Sequence, residues 1–345
     1  MRRRLCIPAG VLAAWTVAAL VAPAPAAGQG IAVAAEAKLT AKAWTAPRTP
    51  DGQPDLQGIW TNATITPLQR PRELAGKAFF TEREIAEREK RILDQVSTDR
   101  RDGGAEVDVG RSYNELWRER GGLLRQTSLI IDPPDGRLPP LTPAARQREE
   151  ARAEDRRRRG PDPADSWEDR NLAERCITRG APKLPGGYNN NFQILQTRGY
   201  VMIFQEMIHE ARVIPLDGRP HVEANIRLWM GDSRGHWEGN TLVVDITNFN
   251  DRIRANSFNC CPGAGEHLHV VERFTRVGED AIDYQYTVDD PATYTRSWTA
   301  SVPMTKMQGP LFEYACHEGN YAMVDMLSGA RAKEKQAENG TAKAK

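Results

Sequence analysis

The sequence predicts a mainly β protein: an antiparallel meander, closed as a barrel or folded as a sandwich, in the C-terminal two-thirds, after a helical and loop-rich N-terminal region. Three observations predict it. Apolar and β-branched runs recur from residue 192 onward: Phe192–Gln196, Tyr200–Gln205, Ala211–Leu216, Thr241–Thr247, Leu268–Val277, Ile282–Val288, Thr293–Pro303 and Leu311–Ala315. Turn-forming residues separate them, among them Arg198-Gly199, Asp217-Gly218, Glu238-Gly239-Asn240 and Gly278-Glu279-Asp280. No helical periodicity alternates with these runs, which argues against a parallel α/β sheet.

The chain opens with Arg2, Arg3 and Arg4, an apolar run from Val11 to Val21, and small residues with an A-x-A site at Ala24 and Ala26. This pattern predicts a secretory signal peptide over residues 1–27. The apolar run falls short of the roughly 20 residues that span a bilayer. An Ala/Lys-rich linker, residues 28–50, follows. The N-terminal region, 51–186, starts with a turn and strand at Asp51–Thr61. Thr81-Glu82-Arg83-Glu84 is a capping-box pattern opening a charged helix to about Val96. Residues 97–112 read as a loop, and Tyr113–Gly121 as a short helix. Thr127–Asp132 reads as a strand ended by Pro133-Pro134-Asp135-Gly136. Thr142-Pro143 caps a second helix with an almost wholly charged body. The β domain spans 187–328, and the Lys/Ala/Glu-rich tail, 329–345, is expected to be disordered.

The chain carries 47 Lys and Arg against 46 Asp and Glu. Loss of the first 27 residues removes three arginines and no acid, leaving 44 against 46, a net of −2. That balance excludes a general nucleic-acid role, which needs a basic surplus. Past Cys6, the cysteines are Cys176, Cys260, Cys261 and Cys316. In an exported chain they are expected to form disulfides. Cys176–Cys316 is the favoured pair, leaving Cys260 and Cys261 bridged to each other or free. A site of Cys260, Cys261 and His267 or His269 for a metal is the alternative, although adjacent cysteines lack the C-x-x-C spacing of zinc sites.

Several segments carry a resemblance: PDLQGIWTN (54–62), YNNNFQILQT (188–197), EMIHEARVIPLDGRPH (206–221), WMGDSRGHWEGNTLVVDITNF (229–249) and EYACHEGNYAM (313–323). In these the chain resembles a family of exported bacterial proteins. The resemblance implies a periplasmic or secreted protein and assigns no activity, cofactor or catalytic residue. Gly58-Ile59-Trp60 ahead of a meander is also similar to lipocalin-type barrels, a likeness of fold only.

All six histidines, His209, His221, His236, His267, His269 and His317, lie in the β region. Imidazole suits proton transfer near neutral pH. No P-loop, G-x-G-x-x-G or H-E-x-x-H pattern is present. The leading expectation is an exported enzyme acting on a small molecule by acid–base chemistry, as a lyase, isomerase or hydrolase. His209 and His317 are its base and acid, Glu206 or Glu318 orients an imidazole, and Arg212 stabilises negative charge. Tyr188, Asn190, Asn191, Tyr284 and Trp298 are the expected substrate contacts. Glu272, among apolar neighbours, is either an arginine's buried partner or a functional acid. No cofactor is expected in that reading. A second reading binds a divalent ion such as zinc, iron or copper at some of His209, His221, His269, His317 and Glu318. A third is a non-catalytic small-ligand-binding protein with an aromatic cavity of Trp60, Trp229, Trp237, Tyr284 and Trp298.

Overall fold

Inward and outward positions alternate along the longest strands, β8 (His269–Gly278) and β9 (Ala281–Asp289), placing Val270, Glu272, Phe274, Ile282, Tyr284, Tyr286 and Val288 in the interior. The computed structural model describes residues 44–100, 102–105, 107, 111, 115–160, 163–255 and 260–343. The expected signal peptide and most of the linker lie outside them. Residues 44–345 group as one unit. Among the described residues no helix is long and apolar enough to cross a membrane.

Eleven antiparallel strands form one sheet that curls into a nearly closed barrel. The remaining strands are β1 (Gly58–Thr61), β2 (Ile130–Asp132), β3 (Asn191–Gln196), β4 (Tyr200–Gln205), β5 (Glu210–Pro215), β6 (Asp232–Glu238), β7 (Thr241–Thr247), β10 (Trp298–Ser301) and β11 (Met304–Lys306). Their order is β5-β4-β3-β1-β11-β9-β8-β7-β6, with β10 joining β9 to β2. β1 thus completes the sheet between β3 and β11, so the N-terminal region and the β region share one barrel. The two end strands, β5 and β6, lie beside each other. Gly235 of β6 makes that approach possible. A Cβ there would stand 2.8 Å from Ile214 Cγ2 and 2.7 Å from Leu216 Cδ2.

The helices follow their caps. α1 (Glu82–Val96) opens with the reciprocal Thr81–Glu84 capping box. Its Ile85 and Ile92, two turns apart, pack on a small cluster of Leu74, Phe80 and Leu123. α2 (Pro143–Arg159) opens where Thr142 Oγ1 accepts from Ala145 N–H. The expected helix at Tyr113–Gly121 is a single 3-10 turn, Glu115–Trp117, among the described residues.

Three differences from the sequence reading have physical causes. The β6 segment, DSRGHWE, faces inward with small Ser233 and Gly235 and outward with polar groups, so it has no apolar alternation to detect. Leu311–Ala315 is not a strand. It crosses one barrel end and is held by side chains, not by a ladder. The tail expected to be disordered continues α3 (Ala322–Lys343), whose Ala, Lys and Glu content favours helix.

The barrel interior is filled. Trp60, Trp298, Tyr286, Ile194, Ile203, Ile214, Leu242 and Ile246 are fully buried, as in small barrels that close on their own side chains. Within this core, Arg212 of β5 donates to both Glu272 oxygens of β8, at 2.6 and 3.1 Å, and Tyr284 Oη donates to Glu272 at 2.6 Å. Glu272 is therefore the buried partner of an arginine. Burial, then the Glu272 charge, pushes the Tyr284 hydroxyl well above its usual range, so it remains the donor. Removing one partner strands a buried charge. Glu272→Ala is expected to cost about 3–5 kcal/mol in urea denaturation, and the apolar double replacement Arg212→Met/Glu272→Leu far less.

Candidate active site

A polar cluster sits where β4 ends, β5 begins and the segment after β11 crosses over. The link from β4 to β5 is a tight turn, Met207–His209. Ile208 and His209 there hold φ of 63° and 45°, the left-handed region that a β-branched residue rarely enters. Glu206 points inward and is fully buried, while His209 is exposed.

Three attachments fasten the crossing segment. Glu206 Oε1 accepts from Phe312 N–H at 2.9 Å. His209 Nδ1 lies 2.8 Å from the Tyr314 carbonyl oxygen. The Cys176–Cys316 disulfide, with Cα atoms 5.7 Å apart, closes a separation of 140 residues. The carbonyl can only accept, so Nδ1 carries the proton and donates it. That fixes the ring and leaves Nε2 without a hydrogen bond among the described residues. The His317 ring stands edge-on to it, with centroids 6.1 Å apart.

Beside this pair, Glu210 accepts from the Gln205 amide and the Arg179 N–H, both at 3.1 Å. Burial raises its carboxyl to about 7, against the opposing pull of the Thr178 and Arg179 hydrogen bonds and the Arg212 charge. Deeper in the cluster Lys183, also buried, donates to Asn190 Oδ1 at 3.0 Å. Burial first, then the Arg179 charge, brings its ammonium down to about 7, with Glu119 and Glu206 opposing. An amine and a carboxyl thus approach neutral pH from opposite sides.

Other expected site residues have different work. Arg212 is committed to Glu272 inside the barrel and reaches this site only through its field on Glu210. Both Glu206 oxygens are taken, the second by Asn191 Nδ2 at 2.7 Å, so Glu206 orients the crossing segment and not an imidazole. The orienting group for His209 is the Tyr314 carbonyl, which no side-chain pattern reveals. Glu318 is exposed and forms no ion pair among the described residues. Asn190 is buried and saturated. Its oxygen accepts from Lys183 and Gly186 N–H, and its amide donates to the Glu119 and Gly186 carbonyls. Tyr284 and Trp298 are core residues, so neither meets a ligand. Tyr188 is partly exposed under the Arg118 guanidinium. Lys183 and Glu210 were missed by sequence reading, since burial is what perturbs them.

The other histidines lie elsewhere. On the outer face of β6, β7 and β8, His221 bridges Asp232 (2.9 Å) and Asp245 (2.8 Å), and Asp245 also binds His269 (2.7 Å). The His269 hydrogen bond is the main force lowering Asp245, and Asp245 in turn raises His269. His236 and His267 are exposed beside Glu238 and Glu266. The four histidines of the metal reading therefore fall into two pairs. Among the described residues no three His, Cys, Asp or Glu side chains are arranged to hold a metal ion. Cys260 and Cys261 are bridged to each other and buried. The aromatic-cavity reading loses its cavity, because Trp60, Tyr284 and Trp298 are packed together in the core.

Comparison of the chain with protein-family models, with curated proteins and with solved structures found no match.

A Glu210 carboxyl raised from 4.5 to about 7 means that the folded state holds the extra proton. Its contribution to stability is complete below about 4.5 and is lost as pH rises through about 7. Glu210→Gln cannot titrate. The stability of the wild type relative to this variant should therefore fall across that window, read as urea midpoints at several pH values. A constant difference would show that Glu210 is not perturbed.

Proposed function

We propose that the chain is an exported enzyme, periplasmic or secreted, that transforms a small molecule by general acid–base chemistry of the lyase, isomerase or hydrolase kind. The observation that carries the reading is the His209 imidazole. Its Nδ1 is tied to the Tyr314 carbonyl, and its Nε2 is unengaged on an exposed, strained turn beside His317. A ring held by one nitrogen and open at the other is the arrangement of a general base. Glu210, with its carboxyl at about 7, can hold or release a proton near neutrality and supplies the acid. His317 is the second imidazole of the pair. Cys176–Cys316 keeps the crossing segment, and with it Tyr314 and His317, within the tolerance that proton transfer demands.

Export is supported by the basic, apolar and A-x-A start of the sequence and by two disulfides, which persist in oxidising compartments. The resemblance to exported bacterial proteins points the same way.

One observation favours binding without turnover. A cleft of ≈ 310 Å³ opens at the Gln196, Leu216 and Trp237 end of the strands, lined also by Thr49, Asp51, Gln53 and Gln57. Of the aromatics expected to line a cavity, Trp237 lines this cleft.

The test is turnover of a bacterial small-metabolite pool by the purified mature protein, followed by mass spectrometry. His209→Ala and His317→Ala are expected to reduce the rate about 10²-fold or more while leaving the thermal midpoint near that of the wild type. Turnover undiminished in both variants would remove the acid–base assignment. Retention of a metabolite without change would favour the binding protein.

A further inference from the structure

On the N-terminal side of the barrel, a cleft of ≈ 380 Å³ is lined by Arg70, Pro71, Arg72, Ala75, Gly76, Asp135 and Arg137. Three arginines and one aspartate line it, a surplus of two positive charges. Arg70 is 6% exposed, yet its partners are neutral. Its Nε donates to Thr127 Oγ1 at 2.8 Å and its Nη1 to the Pro134 carbonyl at 2.9 Å. Arg137 donates to the Arg70 carbonyl at 3.0 Å, and Arg72 is exposed. Among the described residues none of the three forms an ion pair. Asp135 lines the same cleft, and its Oδ1 accepts the Arg137 backbone N–H.

A buried guanidinium without a counter-charge is unusual, because desolvating a charge is costly unless an opposite charge answers it. Buried Arg212 has Glu272 and buried Arg170 has Glu174, while buried Arg276 lies over the Trp44 and Trp60 rings and spends its donors on three backbone carbonyls. The Arg70 side chain is also held firmly. The Pro133–Gly136 turn folds over it, Gly136 carbonyl accepts from Arg70 N–H at 2.7 Å, and Gly136 has φ of 70°. A Cβ on Gly136 would stand 2.4 Å from Ser128 Oγ and 3.0 Å from Arg70 Cζ, so only glycine lets the turn close on the guanidinium. The arginine is positioned in advance, and no carboxylate pairs with it among the described residues.

We propose that this cleft binds the phosphoryl group of a soluble phosphomonoester. Such a group carries nearly two negative charges near neutral pH, matching the surplus, and presents three acceptor oxygens to guanidinium donors. The site is separate from the His209 centre, and neither depends on the other.

The experiment is calorimetric titration of the full mature chain with inorganic phosphate and with glycerol phosphate at low ionic strength. Saturable one-to-one binding is expected, weakened by added salt and by about tenfold or more in Arg72→Ala and in Arg137→Ala. Both variants leave the buried Arg70 anchors in place, so the fold can be checked by its thermal midpoint. Phosphate should raise that midpoint in the wild type and not in the double variant. His209→Ala should bind phosphate as the wild type does, which separates this site from the proposed acid–base centre. Equal binding by wild type and the double variant, stronger binding of acetate than of phosphate, or binding to phosphatidate-containing vesicles alone would each overturn the proposal.

Discussion

The barrel depends on the Arg212–Glu272 pair. Its end strands, β5 and β6, are not consecutive members of a hydrogen-bonded ladder, so the sheet alone does not fasten β5 to the opposite half. The pair does so through the interior, from β5 to β8, with Tyr284 of β9 as a third donor. Ile214 packing over Gly235 closes the same seam by contact. Buried ion pairs are poor sources of net stability, because desolvation offsets most of the attraction. Their use here is directional. An apolar pair would tolerate β5 slipping along its neighbour, whereas a two-toothed guanidinium–carboxylate bond fixes which residue meets which.

Filling the interior in this way decides where chemistry is possible. Trp60, Trp298, Tyr286 and the ion pair occupy the lumen. Reactive groups must then stand at the ends or on the outer wall. The β4–β5 end is where backbone strain, a cross-linked segment and two perturbed groups coincide. The strained turn follows from topology. β4 must reverse within three residues while sending Glu206 inward and His209 outward, and positive φ at Ile208 and His209 achieves that. The disulfide spanning 140 residues and the Glu206–Phe312 bond hold the covering segment against the turn.

Much of the fold was legible because local rules were obeyed. Thr81 and Glu84 announce α1, Thr142 and Pro143 announce α2, and alternation announces β3, β4, β7, β8 and β9. β6 and β11 were silent, the first because Ser233 and Gly235 take two of its inward positions, the second because three residues hold no pattern. In the site, the Cys176–Cys316 pairing was readable, and His209 and His317 stand with ring centroids 6.1 Å apart. Roles that depend on what surrounds a group were not. Arg212 reads as a cation near a histidine until the topology turns it toward Glu272. Asn190 reads as a ligand donor until its four hydrogen bonds are counted against it. Glu210 and Lys183 look ordinary in sequence, since desolvation belongs to the fold and not to the residue.

The two histidine clusters differ in what holds their rings. His221 has both ring nitrogens on carboxylates, so it has no lone pair or proton to offer a substrate. Its position explains the arrangement: it pins the segment between β5 and β6 to the outer wall, where the Asn248 amide also donates to the Val222, Glu223 and Ile226 carbonyls. His269 keeps one nitrogen, but its hydrogen bond to Asp245 favours the protonated form, a cationic arm of the same clamp. His209 differs in the nature of its partner. A backbone carbonyl orients the ring without adding a negative charge, so it fixes the tautomer through Nδ1 alone. That difference between a carboxylate and a carbonyl at the far nitrogen is what separates the two histidine clusters in this chain.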